Sequence, residues 1–224
     1  MPVFNEENFV GRSVKRVLTL KIPGINTELI VVDDGSTDGS AREISKIKDK
    51  RLIVLRHKIN MGKGASVITA LQKMTGDMAV IQDADMEYDP EDLKLLLRPI
   101  LSGKADVVFG SRFIGPGPHR VMYFWHYVAN KLITCIGDTF TNLNLTDIET
   151  GYKAFTKKVV KTIKLRESGF SFDQEFTVKV AEKNFRVYEV GVSYAGRSYA
   201  EGKKISWKDG VIAIWTIIKY SLFK

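Results

Sequence analysis

The stretch Glu28–Asp38, ELIVVDDGSTD, sets four consecutive apolar residues, Leu29-Ile30-Val31-Val32, directly against the carboxylates Asp33 and Asp34 and a Gly35-Ser36 turn. A short, unbroken, β-branched run closed by turn formers reads as a strand buried on both faces. Working outward, the same signature recurs in Met78–Gln82 (MAVIQ), followed by Asp83-Ala84-Asp85-Met86-Glu87, and in Ala105–Gly110 (ADVVFG), followed by Ser111-Arg112. Arg51–Leu55 (RLIVL) supplies a further strand. Between these runs the apolar residues fall at helical spacing: Val10, Val14, Val17 and Leu18; Ala65, Ile68 and Leu71; Leu93, Leu96, Leu97 and Ile100. Alternating strands and helices predict an α/β fold, a mostly parallel sheet with helices on both faces, whose ligands bind beyond the carboxyl ends of the strands. Chemistry is therefore expected after Asp33, Gln82 and Gly110.

Composition bounds the rest. The 224 residues are 44% hydrophobic, and no linker or low-complexity tract divides them, so a single domain over 1–224 is expected. Net charge is +8, and all of it lies C-terminal: residues 1–150 balance 19 Lys/Arg against 19 Asp/Glu, whereas 151–224 carry 15 against 7. Such a surplus suits phosphates or an anionic membrane surface, with solvated surface lysines as the bland alternative. The lone Cys135 cannot form an internal disulfide. Val211–Phe223 is interrupted by Lys219 and is too short for a membrane span, and the N-terminus lacks a secretion signal. The expectation is a cytoplasmic protein, peripherally associated with the inner face of a membrane. The aromatic stretch Val121–Leu145 and an amphipathic helix from about Ser206 are its proposed contacts, although helices packed on the sheet would show the same pattern.

Three constellations can carry chemistry. Asp83, Asp85 and Glu87 stand at alternate positions after a buried strand, an oxygen-rich set suited to a hard divalent cation; an acidic turn leading into the helix start Asp89-Pro90-Glu91 is the structural alternative. Asp33 and Asp34 can accept hydrogen bonds from ribose hydroxyls or a base, while Asp38 caps the next helix. Asn60-Met61-Gly62-Lys63-Gly64 offers backbone N–H groups and a cation to an anion, but it is neither a Walker A loop nor a dinucleotide fingerprint. Arg112 lies on the same rim, and Arg197, Lys203 and Lys204 sit in a Gly-bounded basic loop. No Ser/His/Asp triad frames His57, His119 or His126, and nothing has zinc-ligand spacing.

Taken in order, Pro2-Val3-Phe4-Asn5-Glu6-Glu7, Val31–Asp38, Asn60-x-Gly-Lys-Gly64, Asp83-Ala84-Asp85, Gly110-Ser111-Arg112-Phe113 and Gly196-Arg197 with Gly202-Lys203-Lys204 resemble the family 2 glycosyltransferases, specifically the polyprenyl-phosphate branch that includes dolichyl-phosphate mannose synthase. The resemblance covers nearly the whole chain and is specific to the family but not to one sugar. It implies a GT-A (Rossmann-like) fold, a nucleotide-sugar donor of the GDP-mannose or UDP-glucose type, Mg²⁺ or Mn²⁺, and inversion at the anomeric carbon. It divides the domain into a nucleotide-sugar and metal half, 1–115, and an acceptor half, 116–224. Carried over by position, Pro2, Phe4, Glu6, Asp33, Asp34, Lys63 and Asp83 serve the donor; Asp83, Asp85 and Glu87 hold the metal; Asp85, Arg112, Arg197 and Lys204 are the catalytic set. Arg112, Arg120, His126, Asn130, Asp147 and Glu149 border a polyprenyl phosphate acceptor. Members carry a first strand of about five or more apolar residues ahead of Pro-x-Phe-Asn-Glu; the sequence begins at that segment, so the first strand is expected to be missing. The rival readings are transfer to a sugar hydroxyl, with Asp147 or Glu149 as base, a sugar-nucleotide pyrophosphorylase, and a non-enzymatic basic module; no nucleic-acid partner is expected.

Overall fold

In the computed structural model, which describes residues 1–115, 120–197 and 207–223, strands β2 (Leu29–Asp33), β3 (Leu52–Arg56), β4 (Met78–Val80) and β5 (Val107–Ser111) lie within a residue or two of the sequence-based positions. Pro2–Val3, inside the Pro-x-Phe-Asn-Glu segment itself, forms the two-residue strand β1, pairing parallel to β2 with Pro2 opposite Val32 and Val3 opposite Asp33. It is held further by the Val32 N–H donating to the Met1 carbonyl at 3.0 Å. Parallel pairing continues from β2 to β3, giving the order β1-β2-β3.

The second group of strands runs β4-β6-β5-β7, where β6 is Lys153–Thr156 and β7 is Val187–Gly191. Here β5 and β7 are parallel, but β6 is inserted antiparallel to both of its neighbours. The sheet is thus mostly parallel with one reversed strand. Period-two alternation sends Val107 and Phe109 to one face and Val108 to the other. The first face packs on Phe172 and Phe176 of α7 (Phe172–Glu182) and on Val159 of α6 (Lys157–Thr162). The second packs on Leu93, Leu96 and Leu97 of α4 (Leu93–Leu101). Val10, Val14 and Leu18 of α1 (Val10–Thr19) cover β1 and β2.

Helix α3 (Lys63–Lys73) starts at Gly62, whose φ of 98° suits a residue without Cβ, and a Cβ there would strike the Ser168 carbonyl. The turn fixes where the N-terminus of α3, and so Lys63, faces. The Val121–Leu145 stretch becomes α5 (Phe124–Thr141), and the last helix is α8 (Trp207–Leu222). These two pack through Ile133, Ala213 and Ile217, with Val178 of α7 beneath.

Candidate active site

The site forms where β1, β2, β4 and β7 end. Beyond β4 the chain turns at Met86, whose φ of 64° is costly for a residue with a side chain and reverses the loop between Asp85 and Glu87. The Glu87 N–H donates to Asp85 Oδ1 at 3.1 Å, tightening that turn.

Each carboxylate of the expected metal trio already has a partner. Lys63 Nζ stands 3.1 Å from both oxygens of Asp83. Burial works against the Lys63 ammonium, yet the charges of Asp83 and Asp173 more than offset it, so its pKa lies above the ordinary lysine range. Glu87 Oε1 accepts from the Arg197 N–H at 2.8 Å and Nε at 3.3 Å, and Oε2 accepts from the Tyr194 hydroxyl at 2.8 Å. Arg197 also donates Nη1 and Nη2 to Glu6 at 3.1 and 3.2 Å and Nη2 to Asp85 Oδ2 at 3.4 Å, its guanidinium lying 5.4 Å from the Phe9 ring centre. Asp83, Asp85 and Glu87, the residues expected to hold a metal, are each paired with Lys63 or Arg197 in this structure.

The donor set nevertheless suits a hard cation. Among the described residues, the carboxylates of Glu6, Asp83, Asp85 and Glu87 pair with Lys63 and Arg197. Burial, and then the charges of Asp83 and Glu87, push the Asp85 carboxyl up to about 7. An oxygen-rich cluster fits Mg²⁺ or Mn²⁺.

At the end of β2, the two aspartates differ. Asp34 engages both oxygens within the chain: Oδ1 with His57 Nδ1 at 2.6 Å and the Met61 N–H at 3.0 Å, Oδ2 with the Gly62 N–H at 2.7 Å. It is a structural tie rather than an open acceptor. Asp33 Oδ1 accepts from the Ser36 N–H at 3.0 Å, whereas the buried Oδ2 lies 3.1 Å from Arg56 Nε but makes no hydrogen bond. Pro2 sits in β1, Phe4 just beyond it, and Glu6 closes against Arg197.

In the other half, Arg112 lies at the end of β5 and is buried against Asp147, with Nε and Nη2 donating to its two oxygens at 2.7 Å each. Nη2 also donates to Asn130 Oδ1 at 2.9 Å, and Asn130 in turn donates to the His126 carbonyl at 2.6 Å. Arg112, Asp147, Asn130 and His126 therefore come together. Arg120 does not join them; it is exposed and donates to the Gly196 carbonyl at 2.9 Å. Glu149 accepts from Gln174, and burial followed by the charge of Asp173 pushes its carboxyl up to about 7. Lys204 lies outside the described residues.

Sequence reasoning missed the floor of the site. Lys153 of β6, fully buried, donates to Asp173 Oδ1 at 2.6 Å, to the Ile148 carbonyl at 3.1 Å and to the Thr150 carbonyl, fixing the loop that carries Asp147 and Glu149. Its signal was legible: a lysine inside the apolar run Gly151–Phe155 and an aspartate inside Phe170–Phe176 are charges that need each other. Tyr88 stacks on Tyr152 with ring centres 4.5 Å apart and meets Tyr194 at 5.2 Å, tying the acidic loop to this floor.

An acidic loop at the end of β4, opposed by basic groups from a helix start and from beyond β7, gathers charges of both signs at the carboxyl ends of the strands, where α/β folds bind their ligands. Residues 1–164 match the model of glycosyl transferase family 2, and the chain belongs to that family. It is similar to the dolichol-phosphate mannosyltransferase of Pyrococcus furiosus, 28% identical over 92% of this chain and 59% of that protein. It is also similar to the UDP-N-acetylglucosamine–dolichyl-phosphate N-acetylglucosaminyltransferase of Methanococcus voltae, 25% identical over 92% and 88%. A hexosyltransferase of low-salt glycan biosynthesis from Haloferax volcanii is 27% identical over 99% of this chain and 52% of its own length. The chain thus spans little more than half of two of these three relatives. Among solved structures, the glucosyl-3-phosphoglycerate synthase of Mycobacterium tuberculosis, in complex with Mn²⁺, UDP-glucose and phosphoglyceric acid, shares the fold with a TM-score of 0.75 at 18% identity, over 98% of this chain and 77% of that one. The chain is a glycosyltransferase with a GT-A-type fold, and its resemblance to the polyprenyl-phosphate branch is matched by these relatives.

Proposed function

We propose that this glycosyltransferase moves a sugar, with inversion, from a nucleoside diphosphate sugar to a polyprenyl phosphate at an anionic membrane surface. Residues 1–115 hold the donor and Mg²⁺ or Mn²⁺, and 116–224 receive the acceptor. The observation that carries the reading is the gathering of Glu6, Asp83, Asp85 and Glu87 around Lys63 and Arg197, an oxygen-rich set suited to a divalent cation accompanying a diphosphate. Asp83, Asp85 and Glu87 would hold the ion, whose chemistry there is neutralisation of the charge growing on the leaving diphosphate.

The chain's own residues do the remainder. Asp33, at the end of β2, serves the nucleoside beside Pro2, Phe4 and Glu6. Lys63 and Arg197 add positive charge along the diphosphate, with Lys204 supporting them from the basic loop. Asp147 and Asn130 take Nε and Nη2 of Arg112 and so aim its Nη1 at an acceptor phosphate oxygen. A phosphate nucleophile is anionic at neutral pH and requires no general base. For the membrane, α5 exposes Phe124, Trp125, Val128 and Leu132, and α8 exposes Val211, Ile212 and Trp215; no helix among the described residues is long and apolar enough to span a bilayer. Aromatic and aliphatic groups beside a basic chain segment suit an anionic lipid interface.

One observation favours a second reading, transfer to a sugar hydroxyl: Glu149, pushed up to about 7, has the proton affinity of a general base. A panel of labelled GDP-mannose, UDP-glucose and UDP-N-acetylglucosamine, assayed with polyprenyl phosphate and Mn²⁺ or Mg²⁺, tests both. Label entering the organic phase, lost on chelation and retained in Glu149→Gln, supports the phosphate acceptor. Transfer only to saccharides, abolished in Glu149→Gln, supports the hydroxyl.

A further inference from the structure

The hydrogen bonds of the acidic loop leave every carboxylate oxygen of Asp83, Asp85 and Glu87 facing a donor. Asp83 gives both oxygens to Lys63; Asp85 gives Oδ1 to the Glu87 N–H and Oδ2 to Arg197; Glu87 gives Oε1 to Arg197 and Oε2 to Tyr194. A hard cation sits about 2.0–2.6 Å from its oxygen ligands, so a group bound at Asp85 Oδ2 would stand beside a guanidinium nitrogen only 3.4 Å from the same atom. Two cations on one oxygen repel. Of the three donors, Lys63 is locked between Asp83 and Asp173 below, and Tyr194 carries no charge. Arg197 differs: its guanidinium crosses the cleft from the end of the β7 segment to Glu6 on the N-terminal loop, touching Asp85 and Glu87 on the way. Moving that one side chain releases Asp85 Oδ2 and one bond to Glu87 Oε1, and takes from Glu6 its two bonds to the guanidinium.

We propose that Arg197 is a resident counter-ion of the acidic loop, which the divalent cation displaces only when a nucleoside diphosphate arrives to receive the guanidinium. Metal and nucleotide then bind synergistically: the diphosphate supplies Arg197 with a new anionic partner, and the vacated carboxylates supply the metal with ligands. A guanidinium suits the exchange because its planar fork pairs equally well with carboxylate and phosphate oxygens. The inference rests on the metal-dependent reading above and deepens it, naming the residue that links the two ligands.

Mn²⁺ titration read by the electron paramagnetic resonance of free aqueous Mn²⁺, with and without UDP or GDP and with no sugar transfer involved, tests it. Wild-type protein is expected to bind Mn²⁺ alone weakly and at least tenfold more tightly with the nucleotide. Arg197→Ala is expected to bind Mn²⁺ alone about tenfold more tightly than wild type and to lose most of the nucleotide-dependent gain; Arg197→Lys, which keeps the charge without the fork, falls between them. Thermal melting establishes that each variant is folded, and Arg197→Gln replaces Arg197→Ala if the latter is not. Equal or weaker Mn²⁺ binding in the folded variant overturns the displacement and leaves the metal reading intact. Absence of Mn²⁺ binding in every protein, with or without nucleotide, overturns both.

Discussion

Asp85 is the residue on which the proposed chemistry turns, and its protonation can be read in solution. Its folded pKa, about 7, lies above the ordinary value near 4. Between those values the folded state holds a proton that the unfolded state has lost, so this group's contribution to stability falls as pH rises from about 4 to 7. A divalent cation needs the ionised form. The stabilisation that Mn²⁺ with UDP or GDP gives to thermal unfolding should therefore grow from pH 6 to pH 8, and an unchanged or shrinking shift would remove Asp85 from the ligand set. Asp85→Ala should abolish transfer while leaving the melting temperature the same or higher, since it deletes a buried like charge; turnover in the folded variant would sink the metal assignment. Gly151 offers a subtler test. A Cβ there would collide with Asp83 Oδ2, so Gly151→Ala should displace Asp83 from Lys63 and change the Mn²⁺ affinity read by Mn²⁺ titration; an unchanged affinity would remove Asp83 from the ligand set.

At the level of elements, the reversed strand β6 and helix α7 form the frame that carries the acceptor-side loop. Lys153 and Asp173 are both buried, and removing one partner of such a pair strands a charge at a cost of about 3–5 kcal/mol. Lys153→Met should lower unfolding free energy by that order in denaturant titrations; the double variant with Asp173→Leu should recover much of the loss, and failure to recover would mean that the lysine acts through the 148 and 150 carbonyls instead. Helices α5 and α8 bear on a different question. Trp125 and Trp215 are 76% and 58% exposed and contribute little to the core, so a Trp125→Ser, Trp215→Ser variant should keep its melting temperature. It should also lose co-flotation with anionic liposomes, if these helices are the lipid contact.

For the molecule as a whole, the strands that end in Asp33, in the Asp83–Glu87 loop and in Arg112 were legible because each is a short, continuous, β-branched apolar run stopped by polar residues, and β2 and β5 are buried along their whole length. The order of the motifs likewise carried the family, since a glycosyltransferase of this kind is defined by chemical groups placed at successive strand ends. Pairing was not legible. Whether Lys153–Thr156 lies parallel or antiparallel depends on which strands flank it, and two residues of β1 form a strand only because β2 is there to bond them. The roles of individual charges were hidden for the same reason. Asp33 and Asp34 are neighbours of identical chemistry, yet the loop at 57–62 folds back onto Asp34 alone. Arg197 is about 190 residues from Glu6 and 110 from Glu87 in sequence, and they meet only in space. Sequence fixes which groups arrive at the rim of the sheet, because local hydrophobicity decides where strands stop; the three-dimensional fold fixes which of them remain open, because hydrogen bonds and ion pairs between distant segments decide which oxygen is already taken.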